Sequence, residues 1–360
     1  MNQIERYLGR ALVGSTFMVL MVLVSLFIFT EFLAQLDDIN ERYTTLKAFV
    51  FSLLRAPSFM YQLFPAALVI GALVGLGALA NQNELTVLRV TGWSLRRIFL
   101  GLLKSVFLLW LLMVAIGEFV VPQAETYGTK LRAEALNKSL SLGGSSGFWI
   151  KEQEQYLQIG QVINDHTLHH VSVYQFKEGQ LQRLYKAPEM LYRDGQWWLQ
   201  GGVEVVLNQA NSTQPIPYSV TQQSADNRTI ALTLTPEDLS KLDIKSRYLS
   251  AWDLYLYLQF LEKNGTQQPI YELEFAKKLA SPLVVLAMLA VVFPLIFASQ
   301  RQVNMGFRIF IGIVLGIGFF LLNELLGNLT IVYGLSVYIG AFVPAILMMV
   351  LAWILMRSSR

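Results

Sequence analysis

Six apolar runs, each long enough to cross a bilayer, constrain this chain more than any other feature. A helix rises about 1.5 Å per residue, so about 20 apolar residues cover the hydrocarbon layer. Runs of that length fall at about 11–35, 59–80, 98–121, 274–298, 305–326 and 336–356. The composition agrees: 54% of residues are hydrophobic and 15% charged, where a soluble domain carries about 25% charged. The first run has no small-residue cleavage site and is too long for a signal peptide, so it reads as an uncleaved span. There is no cysteine. Disulfides and thiolate metal sites are therefore excluded, and an exported domain must rely on its own core.

A net charge of +3 is too small to point to nucleic acid; the placement of the basic residues is what matters. One set of short loops collects Arg6, Arg10, Arg89, Arg96, Arg97, Arg301, Arg308, Arg357 and Arg360, with only Glu5 and Glu84 against them. The opposite loops mix Asp37, Asp38 and Glu41 with Arg42, Lys47 and Arg55. By the positive-inside rule both termini lie in the cytoplasm and the long central segment lies outside. That segment, between the third and fourth spans, is large enough for one soluble domain.

The central segment reads as strands. "LHHVSVYQFKEGQLQRLYKAPEMLYRDGQWWLQGGVEVVL" alternates apolar and polar residues, with turns at Lys177-Glu178-Gly179 and Arg193-Asp194-Gly195. Asp-Gly between alternating runs marks a hairpin, and short strands at this spacing suggest a sandwich or jelly roll. Residues 250–264 switch to helical spacing, with Ser250 and Asp253 placed for a capping box and Gly265 for a stop. That helix is expected on the outer face of the membrane. The division is thus 1–130 for three spans, 131–249 for an all-β jelly-roll domain, and 250–360 for the amphipathic helix and three more spans.

Catalytic motifs are missing. No G-x-x-x-x-G-K-[ST] or H-E-x-x-H occurs, so the chain has no P-loop or zincin signature. His166, His169 and His170 cluster, but a strand sets His169 and His170 on opposite faces, and a solvated loop entering a strand is the better reading. Asn211–Thr213 fits a glycosylation pattern too common to carry weight. Ionisable residues late in spans are functional candidates by default. Glu31, Glu118 and Glu324 sit at similar outer depth in spans 1, 3 and 5, either lining a polar cavity, pairing with Lys277, Lys278 or Arg132, or reaching the headgroups. Glycine-rich faces in "GALVGLGALA" and "GIVLGIGFF" permit close approach of neighbouring spans.

The inner loop "NQNELTVLRVTGWSLRRIF" is more than a turn. Residues 83–91 form a short helix with Asn81 or Asn83 before it, Glu84 in its first turn and Gly92 after it. About nine residues cannot hold a helix alone, so its apolar face docks on something. With Arg89 as its one basic residue it lacks the cationic stripe of an interfacial anchor. A groove on a cytoplasmic protein fits better.

The stretch "PAALVIGALVGLGALANQNELTVLRVTGWS" resembles the second span and coupling helix of the LptF/LptG permeases, which belong to a lipopolysaccharide-exporting ABC transporter. RYLGR, GEFVVPQAE, SSGFWIK, LTIVYG and GAFVPAI extend the resemblance end to end, and GEFVVPQ followed by LTIVYG is nearer the LptG branch. The resemblance implies an LptF-like permease as partner and two LptB-like ATPase subunits, which bind ATP and magnesium. It implies no cofactor in this chain. Coupling would run through Asn83, Glu84, Leu85, Leu88 and Arg89, and lipopolysaccharide would pass to LptC-like and LptA-like jelly-roll proteins. Candidate lipid-path residues are Phe27, Glu31, Asp37, Asp38, Arg132, Lys278 and Glu324. Where the family carries lysines at the outer end of span 1, this chain has Glu31, Asp37 and Asp38; Arg132 matches a basic family position. Divalent-cation bridges, charge from the partner permease, or a lipid with fewer phosphates would each accommodate the change. Two other classes remain open on the residues: an envelope sensor or scaffold, and a membrane transferase. The second lacks an acid–base constellation.

Overall fold

The computed structural model describes residues 2–136, 148–152, 154–164, 166–177, 179–209, 218–232, 235–236, 246–263, 268–298 and 305–358. Arg301, Arg360, Glu178, Gly265 and the Asn211–Thr213 pattern lie outside the described residues. Among the described residues, six helices are long and apolar enough to cross a membrane. They are α1 (Gln3–Gln35), α3 (Ala56–Asn81), the continuous rod of α5 (Leu95–Ala115) and α6 (Val121–Leu136), α8 (Pro269–Ala298), α9 (Met305–Val332) and α10 (Val337–Ser358). The short helix α4 (Glu84–Val90) joins α3 to α5. The outer loop of span 1, read as a charged connection, contains the helix α2 (Thr45–Leu54), apolar but too short to span.

Span 2 is the axis of the bundle, packed against α1, α8 and α9. In lipid the hydrophobic effect does not drive helices together, so close approach and polar links must do so. The glycine face supplies both. Gly71 lies so near the Thr16 backbone that a Cβ would come within 2.4 Å of Thr16 Cα, and Ser15 Oγ donates to the Gly71 carbonyl at 2.7 Å. On the opposite flank Gly312 and Gly316 of α9 let Ile70 and Ala66 approach. Leu68, Leu73, Leu76, Leu102, Met288 and Val292 fill the space between the helices. Spans 1 and 5 remain largely uncovered, with Phe17, Met18 and Val22 on one and Phe310, Val314 and Leu321 on the other exposed.

The third span contains a π-turn, Ile116–Val120, between α5 and α6. Gly117 faces the ring of Tyr61 there and leaves no room for a Cβ. The combined helix has 42 residues, about 60 Å at helical rise, so roughly half of it projects beyond a bilayer core.

Among the described residues eight antiparallel strands follow: β1 (Phe148–Glu152), β2 (Gln155–Asn164), β3 (Thr167–Lys177), β4 (Gln180–Arg193), β5 (Gln196–Gln200), β6 (Val203–Gln209), β7 (Tyr218–Ser224) and β8 (Thr229–Ile230). The order is β1-β2-β3-β4-β5-β8, and β6 pairs both β4 and β7. Strand β4 serves two ladders: Arg183–Lys186 pair with β6, and Glu189–Arg193 with β5. The sheet therefore forks, and its inner faces enclose Leu157, Ile159, Val173, Met190, Trp197 and Leu199. The Asp194-Gly195 turn has φ of 51° and 78°, as a two-residue hairpin matched to strand twist requires. The chain is an α-helical membrane protein with an all-β domain of jelly-roll kind between spans 3 and 4.

Helix α7 (Ala251–Lys263) begins at the predicted pair, with the N-cap half of the box formed: Asp253 N donates to Ser250 Oγ at 3.0 Å, and the Ser250 hydroxyl, in place of a backbone amide, donates to Asp253 Oδ2 at 2.7 Å. It does not simply rest on the membrane. Leu254 is buried in a small core with Val121, Tyr248 and Leu249, while Phe260 packs on the β domain. Its other face leaves Trp252, Tyr255 and Leu256 exposed. The helix is a wedge between bundle and sheet.

Candidate functional site

Two polar regions stand out at opposite ends of the bundle. The outer one is organised around Arg55, between α2 and α3. Its NH1 lies 2.8 Å from Glu31 Oε2, its Nε 3.6 Å from Glu125 Oε1, and its NH2 donates to the Tyr248 hydroxyl at 2.6 Å. The guanidinium also sits 5.4 Å from the Phe59 ring centroid. Glu125 accepts a further, short bond from Ser58. One planar cation thus joins spans 1, 2 and 3 to the segment before α7. An arginine fork suits this task where a lysine does not.

A second knot lies alongside. Glu118, in the π-turn, accepts from Lys278 Nζ at 2.5 Å and from the Ala251 backbone amide at 2.5 Å. One carboxylate therefore ties span 3 to span 4 and caps the free amide end of α7. Glu324 of span 5 lies 3.4 Å from Arg247 and 3.8 Å from Lys277. Of the readings open for the three acids, pairing is the one the geometry shows, though Glu31 takes Arg55 and leaves Arg132 to Asp38, at 2.5 Å. Asp37 is exposed. Phe27 is half-exposed, with its ring centroid 5.5 Å from that of Phe59. Tyr43 is fully buried beside Ala48 and Ala135, its hydroxyl donating to Gln35 Oε1 at 3.3 Å, and burial pushes its phenol above the ordinary range.

At the other end, α4 starts from Asn83 in the left-handed region, φ 60°, a conformation that asparagine adopts more readily than most residues. Leu85 is buried in this chain's own bundle and Leu88 packs beside it. The apolar side chains turned outward are Val87 and Val90, 59% and 83% exposed, so the face available to another molecule is carried by the valines. Glu84 Oε2 accepts from the Tyr7 hydroxyl at 2.8 Å. Tyr7 was not singled out from the sequence, and nothing in its local pattern marks it: 77 residues separate the pair. Gln3, Ile4, Tyr7, Gln82, Glu84, Val87 and Leu88 line a groove of about 420 Å³ here. Arg89 lies in the last turn, where a cation suits the helix dipole.

His169 lies 3.7 Å from Glu189, and His170 has a left-handed backbone, φ 52°. No group of three His, Asp or Glu able to hold a metal occurs among the described residues. What the two regions offer is ion pairing and docking.

Comparison with known proteins decides the family. Residues 6–358 match the family described as "Lipopolysaccharide export system permease LptF/LptG". The chain belongs to the LptF/LptG family. It is 30% identical over 361 residues to the "Lipopolysaccharide export system permease protein LptG" of Haemophilus influenzae, covering 100% of this chain and 99% of that one. It is 32% identical over 360 residues to the protein of the same name from Escherichia coli K12, covering 99% and 98%. An LptF/LptG permease is a multi-pass transport subunit of the inner membrane, and the six spans with an inserted β domain fit that class.

Proposed function

We propose that this chain is the LptG-type permease of a lipopolysaccharide exporter, taking lipid from the outer leaflet of the inner membrane and passing it to its own periplasmic β domain. The observation that carries the reading is the end-to-end match to two relatives named LptG. Both termini are cytoplasmic in this reading, which the arginine bias of the inner loops supports. An LptF-like permease completes the cavity. Two LptB-like ATPases beneath supply the work, binding ATP and Mg²⁺ that this chain does not itself hold. LptC-like and LptA-like proteins receive the lipid by strand addition at a sheet edge.

Work enters through α4. Its exposed valines and the adjoining groove form an apolar face rimmed by Glu84 and Arg89. Because Glu84 is held by Tyr7, a push on α4 is transmitted to the start of span 1 as well as to spans 2 and 3. At the outer end, the acids that replace the family's lysines act within the protein: Glu31 holds Arg55, and Asp38 holds Arg132. The Asp38–Arg132 pair is about one-third exposed on both sides, so it is weak, and a lipid phosphate can take the place of Asp38 on Arg132. Phosphate-for-carboxylate exchange needs no bridging cation.

The test is co-purification and crosslinking. Val90→Asp, Val87→Asp or Glu84→Lys should release a co-purifying ATPase while the permease stays folded; undiminished ATPase binding would sink the coupling role. Photo-crosslinkers at Phe27, Glu31, Arg132 and Glu324 should capture lipopolysaccharide, and chelation should leave the yield unchanged. Adducts confined to the β domain would favour a scaffold instead.

A further inference from the structure

One cavity lies outside both polar regions. It is a groove of about 770 Å³ between spans 3 and 4, opening at the end of the bundle where α5 begins. Leu103, Phe107, Trp110, Pro282 and Leu286 make its walls. Its mouth is lined by Arg96, Arg97 and Lys104, with Ser94 and Glu5. The volume is that of sites which enclose small ligands, roughly 300–1,000 Å³.

The chemistry is sorted along the groove's length. Thirteen residues separate Arg97 from Trp110, about 20 Å of helix, which exceeds the ~15 Å hydrocarbon depth of one leaflet. The deep end is fixed, since Trp110 Nε1 donates to Ser281 Oγ at 3.2 Å and so bridges the two spans. The mouth is cationic. Lys104 pairs with Glu5 at 3.2 Å. Arg96 makes no ion pair among the described residues, and Arg97 lies 4.2 Å from the Trp93 ring centroid without a carboxylate partner. Three cations against one acid leave a surplus of two positive charges at headgroup depth. The Ser94 oxygen accepts from Arg97 N at 3.3 Å, which leaves its O–H to donate outward.

We propose that this groove seats an anionic glycerophospholipid of the cytoplasmic leaflet, with its phosphate on Arg96, Arg97 and Ser94 and an acyl chain along Leu103, Phe107 and Trp110. A zwitterionic lipid would leave the surplus charge unmatched, and basic pockets between spans on the cytoplasmic side are suited to acidic headgroups. The lateral surface is distinct from the outer polar layer, so this lipid is held as a fixed component and not carried. The assignment to the cytoplasmic leaflet rests on the orientation proposed above.

The test uses the permease in its co-purified complex, reconstituted in nanodiscs, with native mass spectrometry counting lipids retained from mixtures of phosphatidylglycerol, cardiolipin and phosphatidylethanolamine. Selective retention of the two acidic lipids is expected. Arg96→Gln with Arg97→Gln should weaken it about thirtyfold, since each basic residue near an anionic headgroup contributes about a factor of five. Leu103→Trp, which fills the groove and leaves the charges, should reduce retention of every lipid there. Inorganic phosphate at millimolar concentration should not compete; full competition by phosphate would reduce the site to an anion patch and overturn the lipid assignment. Equal retention of acidic and zwitterionic lipids, or retention unaffected by both variants, overturns it too, as does a photo-crosslinker at Phe107 that captures a partner protein in place of lipid. Sidedness is read separately. Thr91→Cys, in a chain with no other cysteine, should resist an impermeant maleimide applied to spheroplasts. Labelling from outside would refute the orientation while the binding result still judged the seat.

Discussion

Replacing Arg55 by methionine asks whether the outer polar layer holds the bundle or merely decorates it. The methionine would fill much of the stem volume, so the loss is concentrated in the charge. It strands Glu31 and Glu125, 17% and 7% exposed at the side chain. Removing one member of a buried pair costs about 3–5 kcal/mol, because the other charge is left uncompensated. Arg55→Lys keeps the charge but cannot serve both carboxylates and the Tyr248 hydroxyl together; losing one bond to a charged group costs about 1.5–3 kcal/mol. Adding Glu31→Gln and Glu125→Gln to Arg55→Met removes the stranded charges and should recover at least half of the methionine penalty. The assay is the apparent unfolding temperature of the detergent-solubilised complex, with protease sensitivity at 246–250 as a local probe. The expected order is wild type first and methionine alone last, with the lysine and triple variants between them. If methionine is as stable as lysine, or if the glutamines bring no recovery, Arg55 is not the hub described here.

Lys278→Met should cost about 3–5 kcal/mol and loosen the start of α7, because Glu118 then holds the Ala251 amide without its cation; hydrogen exchange at 251–254 should rise, and unchanged exchange would refute the link. Gly71→Ala should separate spans 1 and 2, since the added Cβ meets Thr16 backbone atoms under 3 Å away; the apparent unfolding temperature of the detergent-solubilised complex should fall, and an unchanged value would count against the packing. Trp197→Ala, at a fully buried position, should destabilise the β domain by about 3–5 kcal/mol, seen as proteolysis within 148–230 while the spans stay intact.

The helices and strands were legible because hydropathy and period are local properties. Asp194-Gly195 announced its hairpin, and Ser250 with Asp253 announced the start of α7. The ion pairs were visible only as candidates. Glu118 and Lys278 are 160 residues apart and Asp38 and Arg132 are 94 apart, and no pattern along the chain selects one partner over another. Arg55 read as one more loop cation because α2 was too short to register as a span. In α4 the spacing pointed to an apolar face without saying which residues the chain would keep for itself. The bundle takes Leu85 and leaves Val87 and Val90.

The π-turn at Ile116–Val120 fixes more than a local irregularity. Each residue added to an α-helix advances its faces by about 100°, and a π-turn absorbs one extra residue. Beyond it, Glu125 reaches Arg55 and Arg132 reaches Asp38. Deleting a single residue there would close the rod as plain α-helix with its outer half still in phase, whereas a deletion in the α-helical part of the third span before it would rotate everything outward by more than a quarter turn and carry both side chains away from their partners. The phasing of the outer half is therefore set by counting, and this short window is where the third span can lose one residue and keep that count.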